Sequence, residues 1–538
     1  MKIIPYFLII FLLFACSESQ VEVEKNFLKD KKLSATEKMI QIVTASYLSS
    51  LGISENVSSN IIKFYTERGF KPVFATDSTI SKKGLKLQEE INQSLYYGIP
   101  NQRIKPIEKN LHPLEKEALM LANFVVIVND LNVGFFDFNT KKVKEISAIS
   151  HQEMRLKIKE LDTISVTKLL LKQGPADTNY RFLAKHLYNY CKKYKVDTTS
   201  FTLKTEKEDS IDVLGRIKKV LVSKKYLSEE ADSSLIIETL KAFQLENGIG
   251  ADAKLGFNTV KALNESTYDK VLRASLALDK LRSQAKKPSK HVRINLPEFR
   301  LYFFSDDTLR SEHRIIIGKV TNQTPELVSN INRITCFPYW TVPYSISSKE
   351  ILPDLKRNKN YLGKHHYKLY SKDKEVDPTT INWSKYSSFP FKVVQQPGKW
   401  NSLGLVKFEF NNSHSVYVHD TPSRGLFNNS FRSYSHGCMR CQYPQELAKT
   451  ILKYDSIGRK EPITGEVFDS IMKLERNYPI PLKSSVPIFI EYQSVVAYRD
   501  RMVFYIDLYN REKELVAILK KGIKNVELRI ENDLTSWV

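Results

Sequence analysis

Apolar residues recur at helical spacing through the first half of the chain and at strand spacing through much of the second. In TEKMIQIVTASYLSSLG, Met39, Ile42, Val43 and Tyr47 fall on one face of a 3.6-residue period, and EKEALMLANFVVIVNDL repeats a similar spacing. Residues 36–206 are therefore expected to form a helical domain. Three shorter helical segments follow between 207 and 265. Ile211, Leu214, Ile217 and Leu221 stripe the first, Ile236, Leu240 and Phe243 the second, and Phe257, Val260 and Leu263 the third, with Gly248 and Gly250 breaking the chain before it. A further helix, TYDKVLRASLALDKLRSQA, occupies a connection at 266–288 that ends in the polar break Lys286-Lys287-Pro288. Beyond it the period shortens. HVRINLPEFRLYFF, EHRIIIGK, NRITCFPYWTVP, LGLVKFEF, SVYVHDTP and VPIFIEYQ are short runs rich in Val, Ile, Phe and Tyr, bounded by Pro, Gly and Asp, so residues 289–497 read as a mainly β domain. The fold class is α+β and multidomain, closed by a C-terminal segment at 498–538 that ends in an amphipathic stretch.

A length of 538 residues suits three or four such units at roughly 150 residues each. The 82 Lys and Arg against 60 Asp and Glu give a formal charge of +22, which favours anionic surroundings. The basic residues are scattered, with no Arg-rich arm, so a nucleic-acid partner is not expected. Met1, Lys2, an apolar run from Ile3 to Phe14 and the small Ala15 before Cys16 read as a secretory signal, too short to span a bilayer. Residues 1–15 are the signal and 16–35 a polar tether. Leu13-Phe14-Ala15-Cys16 resembles the bacterial lipobox, which implies lipidation at Cys16 and a membrane-anchored protein; an ordinary signal with an incidental Cys is the alternative.

Four other cysteines are too few for a disulfide framework in a chain this long. Cys191 and Cys336 sit in helix-like and strand-like apolar stretches and read as small buried hydrophobes. Residues 415–448, SVYVHDTPSRGLFNNSFRSYSHGCMRCQYPQELA, instead bring His419, His436, Cys438 and Cys441 around a strand, a loop and a helix start. A thiol nucleophile needs a nearby imidazole to take its proton, and backbone N–H groups at Gly437 and Cys438 could stabilise an oxyanion. On residue type alone the two histidines are equivalent as base.

Two resemblances sharpen this. Phe243-Gln244, Asn247-Gly248-Ile249, Asp252, Gly256, Thr259 and Leu263-Asn264 resemble the three-helix peptidoglycan-binding module, with Ala253 where that module usually has Gly; a plain helical spacer is the alternative. Ser435-His436-Gly437-Cys438-Met439-Arg440, preceded by His419-Asp420-Thr421, resembles the signature of bacterial L,D-transpeptidases. Gly318-Lys319, Thr324-Pro325, Val342-Pro343, Gln396-Pro397-Gly398, Leu403-Gly404 and Val406-Lys407 extend the likeness, and FYTERGFKPVF resembles the scaffold domain of the large multidomain subtype. The resemblance implies Cys438 as nucleophile and His419 as general base and acid, oriented through the backbone of Asp420, with His436 supporting the site and Gly437 in its catalytic turn. It implies substrate contacts at Arg440, Tyr417, Ser435, Trp340 and Asn401, and a lid at about 345–394. It further implies ping-pong transfer: D-Ala leaves a tetrapeptide donor, a thioester forms on Cys438, and a neighbouring stem's amine resolves it into a 3-3 cross-link. Water as acceptor would give carboxypeptidase activity, and a protein Lys would give attachment to the wall. The implied partners are peptidoglycan stem peptides and glycan strands, with the protein tethered at the periplasmic side of the envelope, at the outer membrane. No metal or organic cofactor is implied.

Three rivals come from other classes. Cys438-x-x-Cys441 could be a redox dithiol; His419, His436, Cys438 and Cys441 could hold zinc; or the chain could be a non-catalytic wall-binding lipoprotein.

Overall fold

The computed structural model describes residues 26–457 and 460–521. The stretch expected to be a signal, Cys16 with its expected lipidation, and the last part of the C-terminal segment lie outside the described residues. The chain divides into two compact units, Met1–Gly174 and Pro175–Val538. The break lies within the stretch that the sequence pattern assigns to one helical domain.

The first unit is helical. Its helix Pro113–Val133 is apolar and buried on nearly every side, and Ala35–Ile42, Glu55–Glu67 and Lys82–Asn92 surround it. Buried polar groups are matched. The Glu117 carboxylate accepts the N–H groups of Val73, Phe74 and Ala75 at 2.6–2.9 Å and the Tyr65 hydroxyl at 2.5 Å. Arg103 pairs with Asp130 at 2.7 Å. Such pairing removes the cost of burying charge rather than adding much stability. Among the described residues no helix is long and apolar enough to cross a membrane.

The second unit contains the three expected short helices, Val213–Ser223, Ser233–Glu246 and Phe257–Asn264. Ile217, Leu221, Ile236, Leu240, Phe243, Val260 and Leu263 form their core, but Ile211, Leu214 and Phe257, placed on the same stripes by sequence, are exposed. Ile211 precedes the helix start and Phe257 opens its helix, so neither has a preceding turn to pack on. Ala253 takes the left-handed φ of +56° that a glycine would adopt easily, and Gln244 Oε1 holds it by accepting its N–H at 2.9 Å. The helix Thr267–Ser283 then leads into the β domain.

That domain is built on nine strands: β1 (His291–Asn295), β2 (Arg300–Ser305), β3 (Thr308–Gly318), β4 (Leu327–Cys336), β5 (Val406–Phe410), β6 (Val418–His419), β7 (Ser433–Ser435), β8 (Met439–Cys441) and β9 (Tyr478–Glu491). Their order is β7-β3-β8-β6-β5-β4-β9-β1-β2, and β2 pairs again with β3, so the sheet closes on itself. Pairing of β6 with β8 is parallel, which brings residues 418–419 beside 439–440. Helices Pro444–Asp455 and Gly465–Lys473 cover the core.

Residues 340–395 fold separately between β4 and β5. The strands Trp340–Thr341, Tyr367–Ser371, Lys374–Val376 and Lys392–Gln395 make a second sheet, and Leu352, Leu355, Leu362, Leu369, Trp383, Phe389 and Val393 give it its own core. The insertion is a small folded body rather than a solvated loop.

Candidate active site

Alternation along three neighbouring strands decides which side chains meet. Val406, Phe408 and Phe410 of β5, Val418 of β6, and Met439 and Cys441 of β8 all lie in the sheet's core. Their neighbours in sequence therefore share the other face. Register aligns Lys407 with His419 and His419 with Arg440, so one row crosses three strands. Tyr417 and Cys438 stand one step earlier on that face.

Tyr417 stands against the Cys438 thiol, and its backbone and phenol both favour the ionised sulfur. The Trp340 side chain, at the start of the insertion, in turn acts on the Tyr417 phenol and favours its ionised form. Tyr417 and His419 meet edge to face with ring centroids 5.6 Å apart, and Lys407 Nζ sits 4.5 Å from the Tyr417 ring centroid. His419 is 4% exposed. Its Nδ1, and Arg440 Nε on the next strand, are buried without a hydrogen-bond partner among the described residues.

Asp420 braces the turn that leads into β5. Its carboxylate accepts the Leu405 N–H at 2.9 Å and meets Arg424 at 3.1 Å, fixing residues 403–405 so that the Leu403 carbonyl faces His419. Gly404 makes this approach possible: its φ is +62°, and a Cβ there would stand 2.4 Å from the Asp420 side chain.

Burial and then the Arg440 charge push the His419 pKa down to about 3, with Lys407 adding, against the pull of the Asp420 and Leu403 carbonyls. Burial also pushes the Cys438 thiol up, while Tyr417, Lys407 and Arg440 hold it back. Both shifts favour the neutral forms, a thiol at Cys438 and an imidazole at His419, over a thiolate and an imidazolium. A measurable consequence follows for alkylation by iodoacetamide, read on the tryptic peptide ending at Arg440, which separates Cys438 from Cys441. Its rate should climb continuously with pH through 9. A plateau between pH 5 and 8 would instead reveal a preformed ion pair.

Several expected contacts turn inward. Asn401 is fully buried; its Nδ2 donates to Gln396 O at 2.9 Å and Pro338 O at 3.1 Å, and its Oδ1 accepts the Leu403 N–H at 2.8 Å. Ser435 Oγ donates to Cys438 O at 2.5 Å and accepts the Gly437 N–H at 3.2 Å. Both shape loops rather than present a polar group to a ligand, because their hydrogen-bonding capacity is already used. With the Gly437 N–H engaged, the Cys438 N–H is the backbone donor available for an oxyanion. His436 is exposed and meets Glu350 of the insertion at 2.8 Å.

The dithiol and zinc rivals fail on geometry. Cys441 is in phase with Met439 and points into the core, away from Cys438, and both thiols are free. Among the described residues no three His, Cys, Asp or Glu side chains converge as a metal site. Lys407 is the neighbour that sequence reasoning left without a role. Its alternation with Val406 and Phe408 was the available signal.

Residues 289–465 match the YkuD family model, the L,D-transpeptidase catalytic domain. A curated Haemophilus influenzae protein bearing the name "Putative L,D-transpeptidase" is 30% identical over 224 residues, which are 41% of this chain and 44% of that protein. The match thus spans less than half the length of this relative.

Proposed function

We propose, since residues 289–465 match the family model of the L,D-transpeptidase catalytic domain, that the chain cross-links peptidoglycan by acyl transfer through a thioester on Cys438. The arrangement of His419 on β6 and of Cys438 just before β8, its parallel neighbour, with Tyr417 against both, carries this reading.

The donor is a tetrapeptide stem. As its third-residue carbonyl approaches Sγ, His419 takes the thiol proton and the S–C bond forms. The Cys438 N–H stabilises the oxyanion. Collapse breaks the C–N bond to the terminal D-Ala, and His419 returns the proton to the departing amine. The side-chain amine of a second stem then attacks the thioester, His419 takes its proton and passes it to the leaving sulfur, and a 3-3 amide results. Lys407 and Arg440 suit a substrate that carries free carboxylates, and the unpartnered Arg440 Nε gives such a group a donor. The insertion at 340–395 serves as lid, with Trp340 and the Glu350–His436 contact at its hinge with the site. Glycan strands are further partners. The likeness of Leu13-Phe14-Ala15-Cys16 to the lipobox supports the further proposal that a lipid on Cys16 tethers the protein at the periplasmic side of the envelope, at the outer membrane.

Intact-protein mass measurement of the soluble mature chain tests this. With a tetrapeptide donor, the expected result is a mass gain equal to the donor less D-Ala, with free D-Ala in solution; a carbapenem should add its full mass. Absence of both adducts on fully reduced protein would favour a non-catalytic wall-binding lipoprotein.

A further inference from the structure

The carbonyl of Gly437 is held from behind by buried hydrogen bonds that end in the C-terminal segment. Thr324 Oγ1 donates to Gly437 O at 2.8 Å and accepts the Gly318 N–H at 3.0 Å. Tyr509 Oη donates to Gly318 O at 2.7 Å and accepts the Thr324 N–H at 3.3 Å. Thr324 is completely buried and Tyr509 nearly so. Tyr509 is itself fixed: its ring stacks on Tyr492, centroids 5.6 Å apart, and its N–H donates to Tyr492 Oη at 2.8 Å. Arg511 lies 4.9 and 5.0 Å from the centroids of the two rings while donating to Thr324 O at 3.0 Å.

The Gly437 carbonyl and the Cys438 N–H belong to one planar peptide group and point in opposite directions. Anchoring the oxygen on Thr324 therefore aims the N–H within that plane, away from Thr324. Gly437 has a φ of +115°, a conformation open to glycine but strained for a residue with a Cβ. Resting on the reading of Cys438 as nucleophile, we infer that Tyr509, through Thr324, is a positioning residue that orients the Cys438 N–H as the oxyanion donor. Residues 492–511, which supply this support, lie beyond the 289–465 family match.

The test separates two reactions of the same sulfur. Acylation by a carbapenem or tetrapeptide donor needs an oxyanion donor, whereas alkylation by iodoacetamide does not. Tyr509→Phe keeps the ring against Tyr492 and Arg511 and removes only the hydroxyl. It should lower the acylation rate about tenfold, as should Thr324→Val, and leave Cys438 alkylation within about twofold of wild type. Thr324→Ser should restore acylation. Wild-type acylation in Tyr509→Phe overturns the inference, and so does a parallel fall of both rates, which marks general loosening of the loop. A wild-type protein that alkylates but never acylates overturns the nucleophile assignment and this inference with it, a pattern distinct from the other two.

Discussion

Cys438→Ala should form no acyl adduct with either donor or carbapenem, a loss of about 10⁶-fold that falls below detection. Among the described residues no other thiol can stand in. Burial pushes Cys336 up to about 12 and raises Cys191 and Cys441 as well, and none of the three faces the row that holds His419. The fold should survive, since Cys438 is only packed against the edge of the core and loses one sulfur. Melting within a few degrees of wild type, measured on the same preparation, establishes that the lost adduct is lost chemistry. Cys438→Ser extends the argument. A hydroxyl is far less acidic than a thiol, and an imidazole held near a pKa of 3 is a weak base for it. The serine variant should therefore stay close to Ala in activity, and recovery of even a hundredth of wild-type acylation would mean that His419 is more basic than its surroundings indicate.

Much of this row was legible beforehand because strand alternation is a local property. SVYVHD places Tyr417 and His419 on one face by counting, and LVKFEF places Lys407 opposite Val406 and Phe408. Alternation cannot say which strands become neighbours. The parallel contact of β6 with β8 joins segments about twenty residues apart, and only the closed sheet order puts Arg440 beside His419. Asn401 and Ser435 meet a related limit. Motif membership says that a residue matters at the site but not whether its polar atoms point to a ligand or to the backbone. The support from Tyr509 was hidden altogether, since a tyrosine in RMVFYIDLYN carries no pattern that ties it to a loop some 185 residues earlier.

His419→Gln should lower acylation by about 10² to 10⁴, the usual worth of a positioned general base, while leaving Cys438 in place. The same substitution has a second, independent signature in stability. His419 is neutral when folded down to a pKa of about 3, but in the unfolded chain it protonates near its ordinary value of 6.5. Between those two values the unfolded state binds the extra proton, so the folded protein loses stability as pH falls from 6.5 toward 3, at about 1.4 kcal/mol per unit of pKa difference. Gln does not titrate. Buried His291 and His313, whose pKa values are also pushed down by burial, contribute the same acid sensitivity in both proteins, so the difference between them reports His419 alone. Denaturant unfolding at a series of pH values should show the variant losing less stability than wild type across that window, by several kcal/mol at its lower end, with the two curves running parallel above pH 7. A variant with the flattened acid limb but wild-type acylation would keep His419 buried and neutral yet remove it as the base, and would shift that role to His436.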